Sequence, residues 1–219
     1  MLSIAIDGAC KRNGKPDCVS VGGVFISGTN VFETLSVVDY CSTNQRGELS
    51  ALILALEHIV ESKDDNVQLI TDSEYIFNTI NNRWYVNWEN KGWITAAGEP
   101  VKNQDMWKKI RRTLLLLEQN DVEFNIYHIK GHCIPFGKAT ARDLLAADGT
   151  GLELYTAVLK RYDELILHGM RGDDIQEARQ VFYKNHKFDL SDEGLRLFIA
   201  KNIVADLVAA TRINAVCGP

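Results

Sequence analysis

The sequence predicts an α/β protein: a five-stranded mixed sheet flanked by helices, followed by an all-α C-terminal extension. Three observations predict it. Short β-rich runs occur at 2–6, 20–27 and 31–38, and recur at 67–71 and 122–129. Segments with helical spacing of apolar residues separate the later runs. Beyond Gly149-Thr150-Gly151 the strand patterns stop and only helical ones remain.

The first run, 2–6, breaks at Asp7-Gly8 and reads as a strand entering a turn. Runs 20–27 and 31–38 flank Gly28-Thr29-Asn30, a hairpin signal. From 44 to 61, apolar residues at Leu49, Leu52, Ile53, Leu56 and Ile59 follow the period of an amphipathic helix. The run 67–71 reads as a short buried strand, and Ser73 is placed to cap a helix reaching Ile80. A helix is expected over 103–120, a strand over 122–129 and a helix over 139–147. Right-handed crossovers would set the first strand beside the fourth, with the fifth outside it. Residues 152–168, 174–186 and 191–212 read as three further helices, the last opening at Ser191. The chain thus divides into an α/β part, 1–149, and a helical extension, 150–219.

Composition narrows the class. The 219 residues are 46% hydrophobic and 24% charged, ordinary for a soluble globular protein with ample core. No apolar run is long enough to span a membrane, and 2–6 is too short for a signal peptide, so a cytoplasmic protein is expected. The five cysteines are odd in number and lack C-x-x-C spacing, which argues for free thiols rather than zinc or disulfides. Cys133 adjoins His132, but neighbours in a chain rarely point at each other, so a Cys–His nucleophile is disfavoured. Net charge is −5, and residues 1–149 hold 15 Lys+Arg against 19 Asp+Glu. That deficit equals four acids that stand in distinctive settings.

Those acids are Asp7 in I-A-I-D-G, Glu48 in T-N-Q-R-G-E-L, Asp72 in L-I-T-D-S-E-Y and Asp143 in A-R-D-L-L-A. Two follow apolar strand-like runs, where a charge is costly unless paired or bound to metal. The expected topology brings Asp7 and Asp72 onto adjacent central strands, with Glu48 about one turn inside its helix. Converging carboxylates repel one another, and hard divalent cations relieve that repulsion.

These segments, with I-K-G-H before R-D-L-L-A, resemble type 1 ribonuclease H, motif by motif and in order, over residues 1–149. The stretch W-Y-V-N-W-E-N-K-G-W-I-T, followed by P-V-K-N-Q-D-M-W, is similar to the bacterial branch that carries a substrate-binding protrusion. The resemblance implies an endonuclease that hydrolyses the RNA strand of RNA–DNA hybrids, with Asp7, Glu48, Asp72 and Asp143 as metal ligands. It implies two Mg2+ ions, ~4 Å apart, with Mn2+ as a substitute. His132 would assist proton movement, for which an imidazole is suited. Thr43, Asn44, Gln45 and Arg46 at a helix start, with Glu74, would meet phosphate and the 2′-hydroxyl of the RNA strand. Trp84, Trp88 and Lys91 would contact the DNA strand, with at least one tryptophan partly exposed.

The sequence also departs from the family. K-R-N-G-K-P-D replaces a glycine-rich turn, and the last motif lacks an Asn-Glu pair and runs one residue long between His132 and Asp143. Asp148 therefore competes with Asp143, which is preferred because D-x-L-A matches the family. Other readings stay open: a resolvase- or integrase-like DNA nuclease on the same fold, or a catalytically silent hybrid-binding module. The C-terminal helices carry apolar stripes, from Leu154 to Ile166 and from Leu195 to Leu207, too large to leave in water. They are expected to pack on each other and on the α/β part, and they are candidates for binding a protein partner or for self-association. Truncation after Gly151 would then keep the catalytic carboxylates and cost stability more than chemistry.

Overall fold

The structure, a computed structural model, describes residues 1–40, 42–133, 151–169 and 172–217. Strands β1 (Leu2–Lys11), β2 (Val19–Gly28), β3 (Val31–Tyr40), β4 (Asn66–Thr71) and β5 (Glu123–His128) form one sheet in the order β3-β2-β1-β4-β5. The pairs β1–β2 and β2–β3 are antiparallel, whereas β4 runs parallel to both β1 and β5. This is the order that right-handed crossovers predict. Helices α1 (Asn44–Ser62) and α2 (Glu74–Asn81) follow the expected segments, α3 (Trp84–Asn90) is a short helix that was not expected, α4 (Gln104–Gln119) falls on the segment expected over 103–120, and the helix over 139–147 lies outside the described residues. In the C-terminal part, α5 (Gly151–Leu167), α6 (Gly172–His186) and α7 (Asp192–Cys217) correspond to the three predicted helices. No helix among the described residues is long and apolar enough to cross a membrane.

One local expectation is corrected. The first strand does not end at Asp7-Gly8 but runs on to Lys11, because Asp7 and Gly8 pair with Gly23 and Gly22 across the hairpin. What ends near Asp7 is the other ladder: β4 stops at Thr71, opposite Ile6. Asp7 is therefore held by β2 on one side and open on the other, where Asp72 begins the connection to α2.

Alternation along the strands explains why both faces are buried. Leu2, Ile4 and Ile6 share a core with Leu49, Leu52 and Leu56 of α1, and with Trp107 and Ile110 of α4. Ala5, Phe25 and Ile70 point to the other face and share a second core with Leu154, Phe182, Phe198 and Val204. The C-terminal helices are thus docked on the sheet, as their apolar stripes required. Helix α7 lies across β1 and β2, and its closest approach is at Gly23. A Cβ there would come within 2.7 Å of the Ala209 nitrogen and press on the Ala205 carbonyl. Only glycine lets the helix backbone settle this deeply.

Candidate active site

The parallel ladder of β1 and β4 ends at Ile6 and Thr71, so Asp7, inside β1, and Asp72, just past β4, stand side by side beyond it. Helix α1 begins beside them. Thr43 caps it by accepting from the Arg46 N–H at 3.3 Å, which sets Glu48 one turn in and facing β1. The three acids open into one cavity of about 490 Å³, whose wall also includes Lys11, Asn44, His132 and Asp206.

Asp206 was not singled out in the sequence. It follows Ala205 on α7, and the close packing of that helix against Gly23, the cross-strand partner of Asp7, brings its carboxylate to the cavity. A signal was present: D-L-V-A at 206–209 repeats the D-L-L-A pattern that drew attention to Asp143. Asp143 and its competitor Asp148 lie outside the described residues.

The electrostatics are those of an acid cluster short of positive charge. Burial, then the nearby Asp72 and Asp206, hold the Asp7 carboxyl well above the usual range, although the Gly8 N–H donates to it at 2.6 Å. Burial, then Glu48, push Asp72 up to about 6, with Asp206 adding to the rise and His132 opposing it. Burial also raises Glu48, against the hydroxyl of Ser73, which donates to its Oε2 at 2.5 Å. The Asn44 amide donates to Glu48 Oε1 at 3.1 Å. His132 stands at the mouth with its ring largely exposed, Nδ1 3.8 Å from Asp206 Oδ2. A Cβ at Gly131, just before it, would displace the Asp72 carboxylate.

All the donor atoms that these four acids offer are oxygens, the set a hard divalent cation requires. Among the described residues no group of three Asp, Glu, His or Cys side chains is already assembled to hold a metal ion. Glu48 is turned onto Ser73 and Asn44, so a cation would have to compete for it. Cys133 takes no part: burial pushes its thiol up to about 12, and it donates to the Lys130 carbonyl at 2.9 Å.

The other expected contact residues do not line this cavity, Asn44 excepted. Gln45 and Glu74 are exposed near it in sequence. Arg46 is committed elsewhere, to Asp39 at 3.1 Å and to both oxygens of Asp105. On α3, Trp84 is exposed, as expected of at least one tryptophan, and Lys91 follows that helix in the open. Trp88 packs edge-on against Trp107 at 5.7 Å.

A mixed sheet in this strand order, with acids from β1, α1, the end of β4 and α7 converging on one cavity, defines the class as an α/β protein with an acidic, oxygen-rich site. A family model described as RNase H matches residues 2–150. Relatives named ribonuclease H include one from Clostridium botulinum, 33% identical over 129 residues, covering 59% of this chain and 82% of the relative. Another, from Prosthecochloris aestuarii, is 40% identical over 131 residues, covering 60% and 83%. Among solved structures, LC9-RNase H1, a type 1 RNase H with the type 2 active-site motif, superposes with a TM-score of 0.51 at 23% identity, covering 60% of this chain and 63% of that one. The solution structure of the PFV RNase H domain gives 0.50 at 21% identity, covering 68% and 91%. The chain belongs to the ribonuclease H family.

Proposed function

We propose that this protein is an endonuclease that hydrolyses the RNA strand of RNA–DNA hybrids, with Asp7, Glu48, Asp72 and Asp206 holding divalent cations. Mg2+ is the expected ion and Mn2+ a substitute. The observation that carries the reading is the shared cavity, where carboxylates from β1, α1, the end of β4 and α7 face one another, and where burial and the neighbouring acids hold the Asp7 and Asp72 carboxyls above their usual range. Such a cluster is strained by its own charge and gains stability when a cation enters. Two bound cations would supply Lewis-acid polarisation at phosphorus and an activated water.

The chain's own groups divide the remaining work. Asp206 takes the fourth carboxylate position, on the ground that it lies on the cavity wall and acts on both Asp7 and Asp72. His132, exposed at the mouth beside Asp206, carries protons to and from solvent. Thr43, Asn44 and Gln45, at the start of α1, meet the RNA backbone where helix N–H groups favour phosphate. Exposed Trp84 and Lys91, with Trp88 beneath, contact the DNA strand away from the cut.

The test compares cleavage of RNA–DNA, RNA–RNA and DNA–DNA duplexes of one sequence in Mg2+, Mn2+ and EDTA. Cleavage of the RNA strand in the hybrid alone, abolished by EDTA, is the expected result. Cutting of branched or duplex DNA would favour the resolvase-like reading. Hybrid binding without cleavage in any metal would make the protein a silent binding module.

A further inference from the structure

The ladder between β4 and β5 ends at Thr71 and His128, so Asp72 begins just beyond regular sheet hydrogen bonding. Its carbonyl is met instead by the ring of His128, with Nε2 3.1 Å from the Asp72 oxygen. A carbonyl only accepts, so Nε2 carries the proton. The other ring nitrogen, Nδ1, lies 2.7 Å from the side-chain amide nitrogen of Asn185 on α6. In a neutral imidazole protonated at Nε2, Nδ1 accepts, and the Asn185 amide is the donor that matches it. The ring is buried, between Phe77 on one side and α6 on the other.

A second contact fixes the same helix to the same strand. The N–H groups of Glu123 and Ile129 donate to Asp65 and Thr71 on the β4 side, so the alternate N–H of His128 points away from the sheet. The Nε2 of His186 accepts it at 3.0 Å, and the His186 ring packs within 4.3 Å of Phe182 and 5.1 Å of Phe77, centroid to centroid. At its other end, α6 presents Glu177 and Asp174 to Lys130, one residue before the Gly131 that touches the Asp72 carboxylate. The helix therefore grips both sides of the segment that borders Asp72.

We propose that Asn185 is a positioning residue for the metal-binding end of β4: by donating to His128 Nδ1 it fixes the ring tautomer that holds the Asp72 carbonyl. The inference rests on the proposed role of Asp72 as a metal ligand. It gives α6 a function in the chemistry of the sheet beyond covering its apolar face. Asn185 never meets substrate and acts only through His128.

The experiment uses the full-length protein and two readouts that need no turnover. The ring 15N shifts of His128 report its tautomer, and the 13C shift of the Asp72 carboxyl reports Mg2+ binding. Wild type should show a single Nε2–H tautomer. In Asn185→Leu the tautomers should mix, and the Mg2+ midpoint should rise about fivefold, the factor set by one ordinary net hydrogen bond. KM for the hybrid should stay unchanged, since no substrate contact is lost. Asn185→Gln keeps an amide donor and should return the tautomer and the midpoint toward wild type. Retention of Nε2–H in Asn185→Leu would overturn the proposal, as would a changed tautomer with an unchanged midpoint, or equal losses in the two variants. If wild type cleaves no hybrid, the functional reading fails, and the two shifts still judge the role of Asn185.

Discussion

Replacement of Asp72 by Asn should stabilise the metal-free protein while abolishing cleavage. Burial, Glu48 and Asp206 raise the Asp72 carboxyl from 3.8 to about 6 in the folded protein, with His132 opposing. The folded state therefore holds this proton more tightly than the unfolded chain. Stability associated with Asp72 is fully present below pH 4 and is lost as pH rises toward 6. A shift of this size corresponds to about 3 kcal/mol above pH 7. The amide of the Asp72→Asn variant has no charge to desolvate, so its advantage over wild type should grow from near zero at pH 4 to about that value at pH 8. For a chain of this length, that is roughly 6–12 °C in unfolding temperature. The assay is thermal unfolding of both proteins in EDTA from pH 4 to 8, repeated with excess Mg2+. Magnesium should raise the wild-type midpoint more than that of the variant, because the cation relieves a repulsion that the neutral amide has already removed. The reasoning fails if Asp72→Asn is less stable than wild type in EDTA at pH 8, or if the difference does not change with pH.

Three further outcomes are expected. Asp206→Asn should lower kcat by orders of magnitude with fold and hybrid affinity kept, and truncation after Gly151, which removes Asp206 and so does not spare the chemistry as expected from the sequence, should abolish cleavage as well as solubility; near-normal activity in Asp206→Asn, with loss instead in Asp143→Asn or Asp148→Asn, would return the fourth ligand to the segment before α5. Gly23→Ala should cost about 1–3 kcal/mol, as overpacking does, and reduce cleavage by lifting α7 and Asp206 away from Asp7; Gly28→Ala, whose Cβ would meet the end of Leu2 at 3.4 Å and the Met1 carbonyl at 3.8 Å, ordinary contact distances, is the control in the same denaturant titration. Trp84→Ala should raise KM for the hybrid, by an amount equivalent to about 1–3 kcal/mol if one base or sugar stacks on the ring, and leave kcat nearly unchanged in steady-state assays.

The local elements were legible in the sequence because they rest on local physics. The hairpin at Gly28-Thr29-Asn30, the capping of α1 by Thr43 and of α2 by Ser73, and the spacing of Leu49, Leu52, Leu56 and Ile59 depend on neighbours a few residues away. Asp7, Glu48 and Asp72 were legible for a related reason: each sits in a short distinctive motif, and the strand order follows from crossover handedness. The continuation of β1 past Gly8 was not legible, since it depends on pairing with Gly22 and Gly23. Nor was the commitment of Arg46 to Asp105, a partner 59 residues away.

Asp206 marks the boundary between the two kinds of information. In sequence it is one acid among ten in residues 152–219, on a helix whose apolar residues surround it. Its place beside Asp7 exists only because Ala205 and Ala209 settle onto Gly23, a contact between residues more than 180 positions apart. The same holds for Asn185 and His128, joined across 57 positions. The sequence by itself determined the elements, their order and three of the converging acids, because propensity, capping and apolar period are properties of short windows. The tertiary structure decided which helix closes the site, because close packing between distant segments depends on backbone shape at single residues.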